Sequence, residues 1–170
     1  MSFIYRAAPL AAAAFCLLAL TACDPQRISE LQAGVSTEAD VRDRFGAPEN
    51  IWDEPGGART FEYNRQPAGQ VNYMITIGPD GRMTALQQVL TPENFARVVP
   101  GTGMDAVRRL LGKPAKVTPY ELKQETHADW RYLQPPNQPQ VFTVVYGPDQ
   151  RVLRTQTGPD LEAPEYKGGK

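Results

Sequence analysis

The fold is decided by residues 72–81, NYMITIGPDG, and by their counterpart, residues 141–150, VFTVVYGPDQ. In both stretches apolar side chains alternate along an extended segment, and a Gly-Pro-Asp triplet then predicts a tight turn. The triplets are 69 residues apart, since 147 − 78 = 69, and the aromatic-x-Tyr motifs that begin at Phe61 and Trp130 have the same spacing, since 130 − 61 = 69. Matched blocks in the same order indicate an internal duplication.

A helix is expected in front of each sheet. Val41 and Phe45 lie one helical turn apart on a single face, and Gly46 followed by Pro48 ends the helix. The pattern recurs 66 residues later, since 112 − 46 = 66, as Val107, Leu111, Gly112 and Pro114. Each of these helices is therefore expected to pack one apolar face on a sheet.

The helix starts are also marked in the sequence. Ser36 or Thr37 is expected to cap the first helix, and Thr102 the second, because their side-chain oxygens can accept hydrogen bonds from the first free N–H groups. Shorter helices are expected just upstream, at residues 25–32 and 91–98.

The predicted fold class is α+β, with two tandem repeats that each pack two short helices on a three- to four-stranded antiparallel sheet. The expected divisions are a signal peptide, a first repeat, a second repeat and a flexible C-terminal tail, at residues 1–22, 23–89, 90–156 and 157–170.

The N-terminus resembles a bacterial lipoprotein signal. A cationic start that ends at Arg6 precedes an apolar stretch at residues 7–20, and Ala22 is followed by Cys23. The resemblance implies cleavage between Ala22 and Cys23, a diacylglycerol thioether on Cys23 and acylation of its amine. Several acyl chains make membrane attachment effectively permanent. The alternative is an ordinary secretion signal with a chance cysteine.

Composition excludes several classes of protein. With the signal removed, Cys23 is the single cysteine and is predicted to be acylated, so no intramolecular disulfide is expected. Removal of the signal takes Arg6 away, so the formal net charge falls from −1 to −2, which gives no large field for capturing nucleic acid. Sixteen prolines and fourteen glycines predict short elements joined by many turns.

The residues offer little for catalysis. His127 is the single histidine, so a zinc site of the usual kind lacks ligands. An acyl-transfer triad would have to pair His127 with Ser29 or Ser36, and neither serine lies in a Gly-x-Ser-x-Gly motif. The polar run at residues 124–129 predicts an exposed turn around His127. We therefore expect no catalytic residues, no metal, no cofactor and no small-molecule substrate.

Aromatic residues are a second candidate for function. A sheet with helices on one face leaves its other face free for a partner, and aromatic side chains there could form a binding stripe. Most of them are expected in the core instead. The candidates are Trp52, Phe61, Tyr63, Tyr73, Trp130, Tyr132 and Phe142.

The order of helix, Gly-x-Pro, an aromatic near Trp52, an aromatic-x-Tyr strand and an Asp-Gly hairpin resembles the SmpA/OmlA (BamE-like) family of outer-membrane assembly lipoproteins. The resemblance covers residues 28–88 well and 91–156 more loosely, and the tandem arrangement is similar to that of the secreted β-lactamase inhibitor proteins. It implies a non-enzymatic, lipid-anchored scaffold that faces the periplasm and binds another envelope protein in outer-membrane protein assembly or envelope integrity. The outer-membrane assembly machinery is one candidate partner.

Two points stay open. The resemblance favours the outer membrane, whereas Asp24, directly after the lipidated cysteine, matches the sorting signal that retains lipoproteins in the inner membrane of enteric bacteria. The alternative function is an inhibitor-like module that binds a periplasmic hydrolase. An acyl-transferring enzyme that depends on His127 is a third hypothesis.

The lipoprotein hypothesis predicts a specific mature N-terminus. Mass spectrometry of the protein from membranes should find Cys23 as the first residue with about three acyl chains attached. Cys23→Ser should abolish lipidation and release from the membrane any protein that is still processed. An unmodified Cys23 in the membrane-extracted protein would refute the anchor.

Overall fold

A computed structural model describes residues 28–163. In this part of the chain the protein is α+β, with three helices and two four-stranded antiparallel sheets, as the sequence predicts at that level. The helices are α1 (Glu38–Phe45), α2 (Pro92–Phe95) and α3 (Met104–Leu111). The first sheet contains β1 (Asn50–Asp53), β2 (Arg59–Asn64), β3 (Asn72–Ile77) and β4 (Met83–Gln88). The second contains β5 (Lys116–Tyr120), β6 (Glu125–Gln134), β7 (Gln138–Tyr146) and β8 (Val152–Pro159).

Both sheets follow chain order, so each strand pairs with the next one along the sequence. The Gly-Pro-Asp segments form the turns before β4 and β8, and the strand register shifts beside each turn. The residue after the triplet has a left-handed backbone in both turns, with φ of 77° at Gly81 and 58° at Gln150. Glycine adopts this conformation without steric cost, whereas glutamine has to accept a small strain.

The first predicted cap is confirmed at Thr37. Its hydroxyl accepts the N–H of Asp40 at 3.3 Å, and the Asp40 carboxylate accepts the N–H of Thr37 at 2.8 Å, which forms a capping box. Val41 and Phe45 are buried, and the helix ends before Gly46. The N-cap, the buried apolar face and the terminal glycine of α1 therefore lie where the sequence predicts them.

The second predicted cap is wrong by one residue, because Gly103 and not Thr102 precedes α3. The carbonyl of Thr102 accepts the N–H of Val152, the first residue of β8, at 2.8 Å. Gly103 itself forms an isolated bridge with Arg151. The chain is therefore still paired to the sheet at Thr102, and the helix begins after that pairing ends.

The buried side chains form two clusters, one for each sheet. In each cluster an aromatic side chain fixes the end of a helix: Tyr63 Oη donates to the carbonyl of Gly46 at 3.1 Å, and Trp130 Nε1 donates to the carbonyl of Gly112 at 2.9 Å. The first cluster contains Val41, Phe45, Phe61, Tyr63, Ile75, Ile77 and Met83. The second contains Leu90, Phe95, Val98, Val107, Leu111, Ala128, Trp130, Tyr132, Phe142, Val144, Tyr146 and Val152.

The ordered fold extends beyond the expected tail boundary at residue 157. β8 continues to Pro159, and Asp160 and Ala163 are both buried. The remaining residues of the expected tail, 164–170, lie outside the described residues, as do the predicted signal peptide (1–22), Cys23 and Asp24. Among the helices of residues 28–163, none combines the length and hydropathy needed to cross a membrane.

A matched pair of leucines tests the second cluster. Leu111 is fully buried, so Leu111→Ala should lower the free energy of unfolding by about 2–5 kcal/mol. Leu122 is fully exposed, and Leu122→Ala should change it by less than about 0.5 kcal/mol. Urea unfolding of protein that lacks residues 1–22 measures both. Equal effects of the two substitutions would contradict the placement of α3.

Candidate binding surface

The aromatic residues do not form an exposed stripe. Trp52 is half-buried beneath Arg109, whose guanidinium carbon lies 4.6 Å from the centre of the ring. Tyr73 is also half-buried and meets Phe45 edge-on at 5.5 Å between ring centres. The others are buried in the two clusters: Phe61, Tyr63, Trp130, Tyr132 and Phe142.

The second face of the first sheet, opposite α1, is covered by the end of α3. Asn72 is fully buried, and its Nδ2 donates to the carbonyls of Leu111 at 2.9 Å and Lys113 at 3.1 Å. The last carbonyls of a helix have no partner within the helix. The Asn72 amide supplies that partner from the other sheet.

Glu62 completes this contact. It is fully buried, and its Oε1 accepts the N–H of Lys113 at 2.8 Å and contacts Arg108 Nη2 at 3.4 Å. A buried carboxylate is costly unless it is paired and hydrogen-bonded, so these donors hold it in place. We call the contact of Glu62 and Asn72 with Arg108, Leu111 and Lys113 the seam. The sequence does not predict the seam, and its one signal there is the presence of two polar residues, Glu62 and Asn72, inside predicted strands.

A second contact joins the two sheets beyond the seam. The Gln66 side chain donates to the carbonyl of Arg131 at 2.7 Å and accepts the N–H of Arg131 at 3.2 Å. Arg131 also donates through Nη1 to the carbonyl of Pro67 at 2.8 Å. The loop after β2 is therefore fixed to the middle of the second sheet.

The second face of the second sheet is free of helices within residues 28–163. The buried side chains of α2 and α3 pack against the opposite face, in the cluster around Trp130. We call the free side the open face. It carries alternate residues of β6 and β7, namely Glu125, His127, Asp129, Arg131, Val141, Thr143 and Val145, and Val145 is fully buried opposite His127.

A groove of about 510 Å³ lies at one end of the open face. Its lining mixes charged residues such as Lys116 and Arg131 with apolar residues such as Val141 and Leu161. Arg131 Nε forms an ion pair with Asp160 Oδ2 at 2.6 Å, and this pair fixes the chain after β8 as one wall. Leu161 on that wall is 71% exposed.

A polar cluster occupies the other end of the open face. Arg154 donates to both oxygens of Glu125, at 2.7 and 3.0 Å, and His127 Nε2 lies 3.1 Å from Glu125 Oε2. Hydrogen bonds from Arg154 and then from His127 lower the pKa of Glu125 to about 2. Glu125 is therefore ionised at neutral pH and poorly suited to act as a general acid.

The expectation of an exposed turn at residues 124–129 is wrong. His127 lies within β6, its side chain is 16% exposed, and the Tyr120 ring centre is 4.4 Å from its own. The polar residues that suggested a turn are the open-face half of an alternating strand, because Ala128 and Trp130 point to the core.

The structure does not bring together the residues that an acyl-transfer triad would need. Ser36 lies beside the first sheet, where its Oγ accepts the N–H of Gln32 at 2.9 Å, and Ser29 belongs to the same N-terminal segment. His127 lies on the second sheet, and no hydrogen bond connects it to Ser36 within the described chain. Between residues 28 and 163, no group of three or more His, Cys, Asp or Glu side chains is arranged to hold a metal ion.

Comparison with known proteins identifies no family. No family model matches the sequence, and no curated protein matches it. Among solved structures, the chain is similar to a DUF4309 family protein (YjgB) from Bacillus subtilis, with 23% sequence identity, 80% of this chain and 86% of that chain covered, and a TM-score of 0.32. A TM-score this low establishes neither a common fold nor a common function.

The lowered pKa of Glu125 predicts an acid-dependent contribution to stability. A depressed carboxyl pKa stabilises the fold above the unfolded value of about 4.3, and this contribution is lost as the pH falls towards 2. In Arg154→Gln the pKa of Glu125 should rise, because the largest cause of its depression is removed, and the loss of stability on acidification should shrink.

Carbon-13 NMR titration of the Glu125 carboxyl measures this pKa directly. Arg151→Gln is the control, since the side chain of Arg151 donates to the carbonyl of Gly101 and not to a carboxylate. A pKa for Glu125 that stays near 2 in Arg154→Gln would contradict the assigned cause.

Proposed function

We propose that this protein is a non-enzymatic, lipid-anchored periplasmic scaffold that binds another envelope protein and serves outer-membrane protein assembly or envelope integrity. The anchor is the predicted acylation of Cys23. The observation that carries the proposal is the open face of the second sheet with its groove, because the corresponding face of the first sheet is already used by the seam.

We also propose that the chain consists of two tandem helix-on-sheet repeats. Several contacts recur at the spacing seen in the sequence and support this reading. Thr37 bridges Arg82 just before α1, and Gly103 bridges Arg151 just before α3. Arg82 donates to the carbonyl of Val35 at 3.0 Å, and Arg151 donates to the carbonyl of Gly101 at 2.8 Å.

The proposed duplication relates the open-face groove to the seam, because equivalent positions of the two repeats form them. At the spacing of 69 residues, Glu62 corresponds to Arg131 and Asn72 to Val141, since 62 + 69 = 131 and 72 + 69 = 141. Glu62 and Asn72 bind the end of α3, whereas Arg131 and Val141 line the groove. The position at which the first sheet receives a neighbouring element is therefore only partly covered on the second sheet, where Arg131 and Val141 are half-buried. A partner that docks there would take the place that α3 takes on the first sheet.

A membrane anchor would make such docking effective at modest affinity. Confinement to a membrane surface raises the local concentration of one protein for another on the same surface. A scaffold of this kind needs a specific surface and no catalytic group.

The experiment is cross-linking in intact cells followed by affinity capture. Wild-type protein should recover a stable envelope partner, and Leu161→Asp should reduce its recovery by about tenfold because the substitution buries a charge on the groove wall. Leu122→Asp, at a fully exposed site outside the groove, should leave recovery unchanged.

Other outcomes would count against the scaffold. Deletion of the gene with no envelope phenotype and no captured partner would refute it. Inhibition of an envelope hydrolase by the purified protein would favour the inhibitor-like alternative instead.

A further inference from the structure

Strand β8 presents the longest unprotected edge of the two sheets. It is the last strand of the second sheet, it spans eight residues, and residues 153–157 are all exposed. The other edges are shorter: β1 has four residues, β4 has six and β5 has five. In β5, Pro119 also interrupts the middle of the strand and has no N–H to donate. Along residues 28–163, no strand pairs with the outer side of β8.

The start of this edge already accepts a backbone partner. The N–H of Gly101 donates to the carbonyl of Val152 at 2.8 Å, and the N–H of Val152 donates to the carbonyl of Thr102 at 2.8 Å. An extended segment added beside residues 153–158 would continue this row of backbone hydrogen bonds. Unpaired strand edges are complementary to extended polypeptide, because main-chain donors and acceptors face each other in register.

A cavity beside β8 adds selectivity for a side chain. It has a volume of about 550 Å³ and is lined by Pro92, Phe95, Tyr132, Gln134, Pro135 and Thr157. We call it the aromatic groove. The Phe95 and Tyr132 rings meet edge-on with their centres 4.8 Å apart, and Thr157 forms the wall contributed by β8.

Geometry places one residue of an added strand at this groove. Directly opposed residues on antiparallel strands have Cβ atoms about 4.5–5.5 Å apart, so the side chain opposite Thr157 would reach the groove. The lining has no charged residue, and a carboxylate or ammonium group would lose its water there without gaining a partner. Arg154, the one charged residue of β8, is already paired with Glu125, so the edge itself does not repel a neutral strand.

We propose that β8 and the aromatic groove bind an extended segment of another protein, with an aromatic or leucine side chain opposite Thr157. The aromatic groove shares no lining residue with the open-face groove, and the site uses a different chemistry, namely backbone pairing plus one apolar side chain.

The test uses synthetic peptides and protein that lacks residues 1–22. The probes are acetylated, amidated peptides of alternating Thr and Val with Phe, Leu or Asp at the central position, added to nitrogen-15-labelled protein. Amide shifts should appear at residues 153–158 and around the aromatic groove. The Phe and Leu peptides should bind at least about tenfold more tightly than the Asp peptide, because only the carboxylate is left without a partner.

Paired variants locate the site. Pro92→Asp puts a carboxylate at the aromatic groove and keeps a residue that suits the first turn of a helix. It should lower the affinity for the Phe peptide about tenfold. Val117→Asp, on the opposite edge of the same sheet and 55% exposed, should leave binding unchanged.

Three results would overturn the proposal: no shifts at millimolar peptide, shifts confined to the open-face groove, or equal binding of the Phe and Asp peptides. A peptide of residues 152–159 is the probe for pairing with a second copy of this chain. If it binds more tightly than the Phe peptide, the partner at the β8 edge is a second copy and not a different protein. If none of the peptides binds, the proposed role of the open-face groove is not contradicted, because Leu161→Asp tests that groove separately.

Discussion

Two polar side chains buried on the first sheet, Glu62 and Asn72, bind the backbone at the end of α3 and so hold the two sheets in one body. The contact depends on a close approach at Gly112, where φ is 76° and a Cβ atom would come within 3.0 Å of Asn72 Nδ2. Glycine is therefore required there both by the backbone conformation and by the space. The helix end gains hydrogen-bond partners that its own residues cannot supply.

This contact also decides which surfaces remain for partners. It uses the second face of the first sheet and leaves the second face of the second sheet open. Arg131 then links the open face to both halves, since it binds Gln66 and Pro67 on one side and Asp160 on the other. The walls of the groove are thus set by contacts from three separate parts of the chain, which makes the groove a fixed feature of the fold and not a property of one loop.

The local elements could be predicted from the sequence, because their signals lie within a few residues of one another. Val41, Phe45 and Gly46 specify a helix, and the Gly-Pro-Asp triplets specify hairpin turns. The seam could not be predicted, because Glu62 meets Lys113 across 51 residues of sequence and nothing local marks either as a partner. The sequence predicts a turn around His127, where the structure has a strand, because a strand with one polar face and a short polar turn have similar composition over six residues.

The polarity of the seam has a consequence for biogenesis. The face of the first sheet that receives α3 carries Glu62, Asn72 and the hydroxyls of Thr60 and Thr76. It also carries two apolar side chains, Met74 and Trp52. Before the second half has been synthesised, water can solvate the polar groups, so the newly made first half exposes a mixed surface and not a continuous apolar one to chaperones or to other nascent chains. The first half of the chain can therefore be made before the second half without exposing a continuous apolar surface at the seam.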